Sequence, residues 1–403
     1  MDNKSILEQI ITNQKAEEIA KLNAVEIVNS LFGELNERER NVLTSRFGLH
    51  GNGKETLENI GKVHNLTRER IRQIETSAIK KLRQLKNLET YIKGLKKVIS
   101  QLLEEHGGLM EKEYLLNNLV SFSTDGASAK AEHNINVHKS HLDFLISKLL
   151  HEEFEEVVNS KIFKESFKLK YMTLDHLEEL ALSLLKKIEA EKKIFNTAEL
   201  INLIKELDTY KASSEKYQAQ NSIDIASVIR SKLFNEDSEL INEHKTLYSI
   251  LKALGDVEQN KFGYWGKADW REINPKTIND KIYLILKNFN RHMHFVEIAD
   301  KINDVGFDDK KANPATVHNE LILDDKYILV GRGLYTLKEW GYKNGTVADV
   351  ISEILTNSET PLSRDEIINE VLEQRLVKKS TIILALMDKE KFQKTEDGKY
   401  GLK

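Results

Sequence analysis

Apolar residues recur along this chain at helical spacing, and short runs of strand character interrupt them at intervals. Over residues 1–32, Ile6, Leu7, Ile10 and Ile11, then Ile19, Leu22, Val25, Ile27, Val28 and Leu31, keep that spacing and predict one or two helices. Residues 33–90 predict a compact group of short helices, punctuated by Gly48 and by His50-Gly51-Asn52-Gly53. From residue 91 onward a longer pattern repeats four times: an apolar-periodic helix, two further short helices, then an aromatic-containing β stretch with a Gly or polar turn. The first repeat predicts helices at Tyr91–Leu103, Lys112–Val120 and Leu142–Leu150, and strands at Phe154–Val158 and Phe163–Leu169. The second predicts helices at Leu177–Ile188, Thr197–Leu207 and Ile223–Leu233 before strands within Val257–Trp265. The third runs through Ile278–Lys287, His294–Asn303 and Ala315–Asp324 to strands at Tyr327–Val330 and Leu334–Leu337. The fourth runs through Val347–Leu355, Ser363–Leu372 and Lys379–Asp388 to Phe392–Lys394, a Glu396-Asp397-Gly398 turn and Tyr400–Leu402.

Three helices followed by a β-hairpin make the winged-helix arrangement. The expected fold is therefore mainly α: an N-terminal helix-turn-helix followed by three to four winged-helix domains with short β-hairpin wings. The expected boundaries are 1–32 for N-terminal helices, 33–90 for the helix-turn-helix, then 91–171, 172–273, 274–342 and 343–403. Repeats of this length form a string of small domains rather than a tightly stacked solenoid. Two polar stretches, Ser121–Ser140 and Thr209–Asn221, are expected to be mobile loops.

Composition narrows the function classes. Of 403 residues, 40% are apolar and 31% charged, with 3 Pro and 19 Gly, which excludes collagen-like, Pro-rich and large all-β arrays. The absence of cysteine removes disulfides, thiolate metal sites, Fe–S clusters and Cys nucleophiles together. No apolar run is long enough to span a membrane, and Met1–Ile6 lacks the basic start of a secretory signal, so a cytoplasmic, nucleoid-associated protein is expected. The formal net charge is -4, yet between Lys62 and Lys86 eight basic residues face only Glu69 and Glu75. Such a local patch, rather than the net charge, concentrates near a polyanion.

That patch coincides with a helix-turn-helix pattern. Thr56 can N-cap a first helix, Gly61 is small where two helices must cross, His64-Asn65-Leu66 supplies a short turn, and Thr67 can N-cap a second helix. Ile71, Ile74, Ala78 and Leu82 share one face of that second helix and are expected in the core. Arg68, Glu69, Arg72 and Gln73 lie opposite, towards the end of a recognition helix that enters the major groove. Arg pairs with guanine, Glu accepts from cytosine and Gln pairs with adenine. Arg70, Lys62, Lys80 and Lys81 suit phosphates, which set register and affinity.

Leu35–Leu43, Arg46-Phe47-Gly48-Leu49, Thr56-Leu57-Glu58, Ile60-Gly61, Thr67–Glu75 and Lys81-Leu82-Arg83 together resemble region four of primary-type bacterial sigma factors, over residues 33–86. The resemblance implies a domain that binds the −35 promoter element and the flap of the RNA polymerase β subunit. Under it, Arg68, Glu69 and Gln73 are base readers, and Thr67, Arg70 and Arg72 lie near the DNA backbone. The position before the turn, commonly apolar in that family, is His64 here, and Val63 is expected to take its packing role. No aromatic-rich segment resembles the region that melts the −10 element, so a complete promoter-opening sigma factor is not expected.

A second resemblance covers residues 277–341. Met293–Ala299, Asn313–Val317 and Tyr327–Leu337 are similar to the HARE-type winged helix, which occurs in the delta subunit of Gram-positive RNA polymerase. It implies an interaction or DNA-sensing domain. Gly331-Arg332-Gly333 is read as a wing turn, a place that also suits a phosphate. Tyr264 and Trp265 are expected to pack within a wing, with base stacking as the alternative.

His292 and His294 form a His-x-His pair without a third ligand, so His294 is expected at a helix start rather than on a metal. His133, His138 and His141 are expected on the surface, and Glu152, Glu153, Glu155 and Glu156 in solvent. No phosphate-loop, zinc-protease, nucleophile-elbow or calcium-loop motif is present, and no enzyme, cofactor or metal is expected. The expected role is a DNA-binding regulator of bacterial transcription initiation, whose partners are promoter-like double-stranded DNA and RNA polymerase, without membrane or small-molecule substrate. The alternatives are a delta-like polymerase accessory factor and the DNA-recognition subunit of a restriction or repair system.

Overall fold

The computed structural model describes residues 23–123, 132–218, 222–229, 231–342, 345–358, 360–374, 377–395 and 397–403. The predicted helices of residues 1–22, residues 124–131 and 219–221 of the predicted loops, and Glu396 of the last turn lie outside them. The chain divides into two compact units: residues up to Gln259 with Gly263–Ala268, and Asn260–Phe262 with Asp269–Lys403.

Among the described residues, the first unit begins with four helices, α1 (Ala24–Phe32), α2 (Glu37–Phe47), α3 (Leu57–His64) and α4 (Arg68–Arg83). Next come α5 (Leu88–Glu105), β1 (Leu109–Glu111), α6 (Lys112–Ser123) and α7 (Glu132–Phe144), which runs into a π-helical turn at Leu145–Leu149. Strands β2 (Phe154–Val157) and β3 (Ser166–Leu169) complete an antiparallel sheet in the order β1-β3-β2, with Met110 opposite Phe167. A second set follows: α8 (Asp175–Glu191), α9 (Thr197–Glu206), the short α10 (Asp208–Lys211), α11 (Ala226–Ile229) and α12 (Ser238–Glu243), then α13 (Lys245–Ala253) and the hairpin β4 (Val257–Gln259) and β5 (Trp265–Lys267).

These two sets share a core. Ser249 of α13 donates to the Leu109 carbonyl of β1 at 2.6 Å; across the Phe163–Leu254 bridge, the Gly255 amide donates to the Ile162 carbonyl and the Lys164 amide to the Ala253 carbonyl. At the centre of the joint, Lys245 Nζ meets Glu105 Oε2 at 2.7 Å, with the side chains only 1% and 5% exposed. Gln101, Ser222 and the Ile223 amide donate to the same carboxylate, and Lys245 also donates to the Ile223 carbonyl. Burial alone would push Glu105 up, but the hydrogen bonds from Lys245, Ser222 and Gln101 outweigh it and hold the carboxyl below its usual range. The adjacent His106 is buried, bonded to the Leu102 carbonyl and Tyr114 hydroxyl, and pushed down to about 4 by desolvation, so it is neutral at pH 7.

The second unit contains two helical sets that match the expected pattern closely. The first is α14 (Ile278–Phe289), β6 (Met293–His294), α15 (Phe295–Val305), α16 (Pro314–Leu323), β7 (Tyr327–Gly331) and β8 (Leu334–Leu337), with sheet order β6-β8-β7. Its core gathers Ile282, Ile285, Met293, Ile298, Val317 and Tyr335. The other is α17 (Val347–Asn357), α18 (Arg364–Gln374), α19 (Lys379–Leu386), β9 (Phe392–Lys394) and β10 (Tyr400–Leu402), around Ile351, Ile367, Val371, Ile382 and Phe392. The chain is thus mostly helical, with a helix-turn-helix and repeated small helix-and-hairpin units that resemble winged helices.

Several expectations are corrected. The predicted helix at Ile223–Leu233 shrinks to the single turn α11, and its place is taken by α13, whose polar Lys245, Thr246 and Ser249 are all buried. Residues 132–140 are helical rather than loop, and His141 is buried because its ring bonds back to the Val137 carbonyl at 2.7 Å. Within the other predicted loop, Tyr217 is buried, stacks on Tyr210 at 5.3 Å and donates to the His176 carbonyl. Of the acidic run, Glu152 and Glu155 are exposed, but Glu153 and Glu156 are half-buried in ion pairs with Lys96 and Lys112. Trp265 is buried and donates to Thr197 Oγ1, as a packed strand residue should.

The Glu105–Lys245 pair makes a prediction. Removing one partner of a buried pair strands the other charge, so Glu105→Ala should cost about 3–5 kcal/mol at pH 7 by urea unfolding. The wild-type contribution is complete above the usual carboxylate range and is lost as pH falls through the lower folded-state value, so the deficit should narrow in acid. A deficit that stays constant into strongly acid solution would show that charge plays no part in it.

Candidate nucleic-acid interface

The helix-turn-helix is built from local signals. Asn36 and Glu39 cap α2 reciprocally at 2.9 Å each way. Thr56 Oγ1 accepts from the Asn59 amide to start α3, and Thr67 Oγ1 from the Arg70 amide to start α4, both at 3.2 Å. Asn65 ends α3 in the left-handed conformation at φ 53°, which an Asn tolerates. Gly61 sits where the chain turns back: a Cβ there would lie 2.6 Å from the Leu66 carbonyl oxygen, so no larger residue fits without moving backbone.

Val42, Ile60, Ile71 and Ile74 form the core of this domain, with Leu57 and Leu66 packed against it. Ile71, Ile74, Ala78 and Leu82 are all buried, as the helical spacing requires. Val63 does not take the packing role expected of it: it is 73% exposed, because the left-handed Asn65 swings Leu66, not Val63, into the core.

With the apolar stripe of α4 turned inwards, Lys62, Thr67, Arg68, Glu69, Arg70, Arg72, Gln73, Lys80 and Lys81 are all exposed. Their partners are one another or near neighbours. Arg72 grips the Glu69 carboxylate with Nε at 2.9 Å and a terminal nitrogen at 2.6 Å. Arg70 donates to Gln73 Oε1 at 3.1 Å, Lys62 pairs with Glu58 at 3.0 Å and Lys81 with Glu39 at 3.4 Å. The Arg72 hydrogen bond holds Glu69 below the usual carboxylate range, and Lys62 does the same for Glu58. The side chains of Arg68 and Lys80 make no hydrogen bond or ion pair among the described residues. Exposed pairs of this kind are weak and exchange readily for an incoming ligand.

The domain is fastened to the rest of its unit by residues that sequence reasoning did not single out. Phe144, at the end of α7, packs edge-on against Phe32 at 5.8 Å and tilted against Phe47 at 4.9 Å. Its neighbour Asp143, with a side chain 9% exposed, lies 2.8 Å from Lys54 of the helix-turn-helix and 2.8 Å from Lys112 of α6. Burial would raise Asp143, but those two ammonium groups outweigh it and keep the carboxyl low. Arg83 Nε donates to the Lys148 carbonyl at 2.7 Å, and Lys148 lies over the Phe47 ring. The only local hint was the polar-to-apolar step at His141-Leu142-Asp143-Phe144; the partners lie some 90–110 positions away for Lys54, Phe47 and Phe32.

Elsewhere, His294 N-caps α15 through Nδ1, and Gly331–Gly333 form the turn of the β7–β8 wing. No group of three or more His, Asp or Glu among the described residues could hold a metal ion. The architecture resembles non-catalytic DNA-binding helix-turn-helix and winged-helix folds, and no helix among the described residues is long and apolar enough to cross a membrane.

Residues 31–84 match the family described as sigma-70, region 4. The segment is a helix-turn-helix of the sigma region 4 kind. RNA polymerase sigma factor RpoD of Helicobacter pylori is 58% identical over 57 residues, which is 14% of this chain and 8% of that protein. RNA polymerase sigma factor RpoS of Coxiella burnetii is 52% identical over 56 residues, 14% of this chain and 16% of the relative. RNA polymerase sigma factor SigA of a Bacillus species is 44% identical over 86 residues, 20% and 23% respectively. The chain therefore spans less than a quarter of the length of these relatives. No solved structure matches it.

The contact at Gly61 is testable. Gly61→Val should lower the midpoint of chemical unfolding by an amount equivalent to about 1–3 kcal/mol, the usual cost of overpacking. An unchanged midpoint would mean that α3 and the turn separate freely.

Proposed function

We propose that this protein binds double-stranded DNA through α4 and acts as a regulator of bacterial transcription initiation, reading −35-like promoter sequence. The observation that carries the reading is the exposure of all nine candidate side chains on α3, α4 and the Thr67 cap, while the apolar stripe is buried and Phe144 covers Phe32 and Phe47. A surface with that surplus of Lys and Arg attracts phosphate and releases counterions on binding. Arg68, already free, donates to guanine O6 and N7. Glu69 and Gln73 leave Arg72 and Arg70 to meet cytosine and adenine, and the released arginines, with Thr67, Lys62, Lys80 and Lys81, turn to backbone phosphates.

The likeness of residues 31–84 to sigma factors supports promoter DNA as the target and a place in the cytoplasm at the nucleoid. A second reading, a polymerase-associated accessory factor, is favoured by the helix-and-hairpin unit at residues 277–341, whose order of elements suits the HARE-type kinship proposed for it. In the helix-turn-helix itself, the apolar flank of α1 and α2 is covered by Phe144, so a partner gripping that flank would have to displace it.

The test is binding of the full chain to a duplex selected by the protein from a randomised pool, against a scrambled duplex, across a salt series. Arg68→Ala and Gln73→Ala should each lose about 1–3 kcal/mol on the selected duplex and little on the scrambled one. Lys80→Ala should weaken both alike and reduce the salt slope by about 1. If the selected duplex is bound equally by wild type and by both base-reading variants, the reading fails.

A further inference from the structure

In the second unit, α16 occupies the place before the hairpin where a winged helix carries its third helix. Its outward residues are Ala315, Thr316, Asn319, Ile322 and Leu323, with no Lys or Arg among them. Ile322 is 61% and Leu323 80% exposed. Such a face lacks the cations that supply most of the affinity for a phosphate backbone.

The residues directly after Leu323 line a cavity of about 890 Å³ whose apolar walls are Trp270, Tyr283, Leu284 and Leu337. Six carboxylates and three cations surround those walls. Arg271 is committed to Asp280 at 3.2 Å, and Lys326 to Asp324 at 3.1 Å. Asp269, Glu272 and Asp325 have no ion-pair partner among the described residues, and Lys338 is the one cation of the lining left to face them. The Tyr283 ring already accepts cations on this unit's own scale, with Lys287 Nζ at 5.1 Å and Lys326 Nζ at 5.9 Å from its centroid.

We propose that this cavity and the adjoining Ile322–Leu323 strip dock a segment of a partner protein in which lysine or arginine side chains alternate with apolar ones. The cationic heads meet Asp269, Glu272 and Asp325, their methylene stems lie along Trp270 and Tyr283, and the apolar residues cover Ile322 and Leu323. Charge complementarity selects this occupant: the lining repels nucleic acid and acidic peptides, and the aliphatic rim distinguishes a peptide from a free small cation. The inference stands apart from DNA reading by α4, since it concerns a different surface of opposite charge.

The experiment uses the full chain and a fluorescein-labelled peptide of alternating leucine and arginine, read by anisotropy. Glu272→Lys with Asp325→Lys should weaken binding at least tenfold, and Leu323→Ser several-fold. Asp365→Lys with Glu373→Lys, the same change of net charge on exposed α18, should leave it within twofold. Addition of the peptide should also slow amide exchange in residues 269–273 and 324–339, a readout on the wild-type protein that does not depend on any variant folding. The proposal is overturned if the peptide does not bind, if a leucine–glutamate peptide binds as well, or if both charge-reversed pairs lose binding equally. Displacement by an equal concentration of spermine would make this a small-cation site and overturn it too.

Discussion

The division of α4 into two faces is the constraint on which the functional reading depends. Ile71, Ile74, Ala78 and Leu82 are buried at helical intervals, which leaves no rotational freedom about the helix axis. Any rotation that buried Arg68 or Gln73 would expose isoleucine and strand a polar group in the core, each costing kilocalories. The polar face is therefore held outwards by the packing of the apolar one. Thr67 and the crossing at Gly61 then decide where that face begins and how closely α3 approaches.

A second layer of constraint fixes the domain within its unit. Phe144 fills the space between Phe32 and Phe47, and Asp143 ties Lys54 to Lys112 from a nearly dry position. Further on, Lys245 and Glu105 join two helix-and-hairpin sets through a buried pair whose remaining lone pairs are satisfied by Gln101, Ser222 and the Ile223 amide. Aromatic packing supplies area and charge pairing supplies specificity of placement. The basic face of α4 is consequently presented by a braced support and not by a bead on a flexible thread.

The outward faces of α4 and α16 differ in chemistry. On α4 the outward positions carry Arg, Glu and Gln; on α16 they carry Ala, Thr, Asn, Ile and Leu. The cores of the two sets are alike in kind, isoleucine and valine at helical spacing, because burial requires it. Their exteriors are free to differ because solvent imposes no such demand.

The helices and hairpins of the second unit, with His294 at a helix start, and the helix-turn-helix with its exposed polar face, were legible in the amino-acid sequence. Each depends on contacts within a few turns of chain: apolar periodicity, Thr and Asn caps, Gly and Asn turns. The departures have one physical origin. Lys245 looks like a surface residue until Glu105, 140 positions earlier, supplies its counter-charge, and so α13 was missed. Val63 gave way to Leu66 because one left-handed residue redirected the turn. Residues 132–140 look like a polar loop, yet they are wound into the helix that ends in Phe144, whose pocket is made by Phe32 and Phe47. Local chemistry thus determined the elements and the face that meets solvent. Only the folded chain decided which polar groups are buried, because a buried charge is tolerable only where a distant partner arrives to meet it.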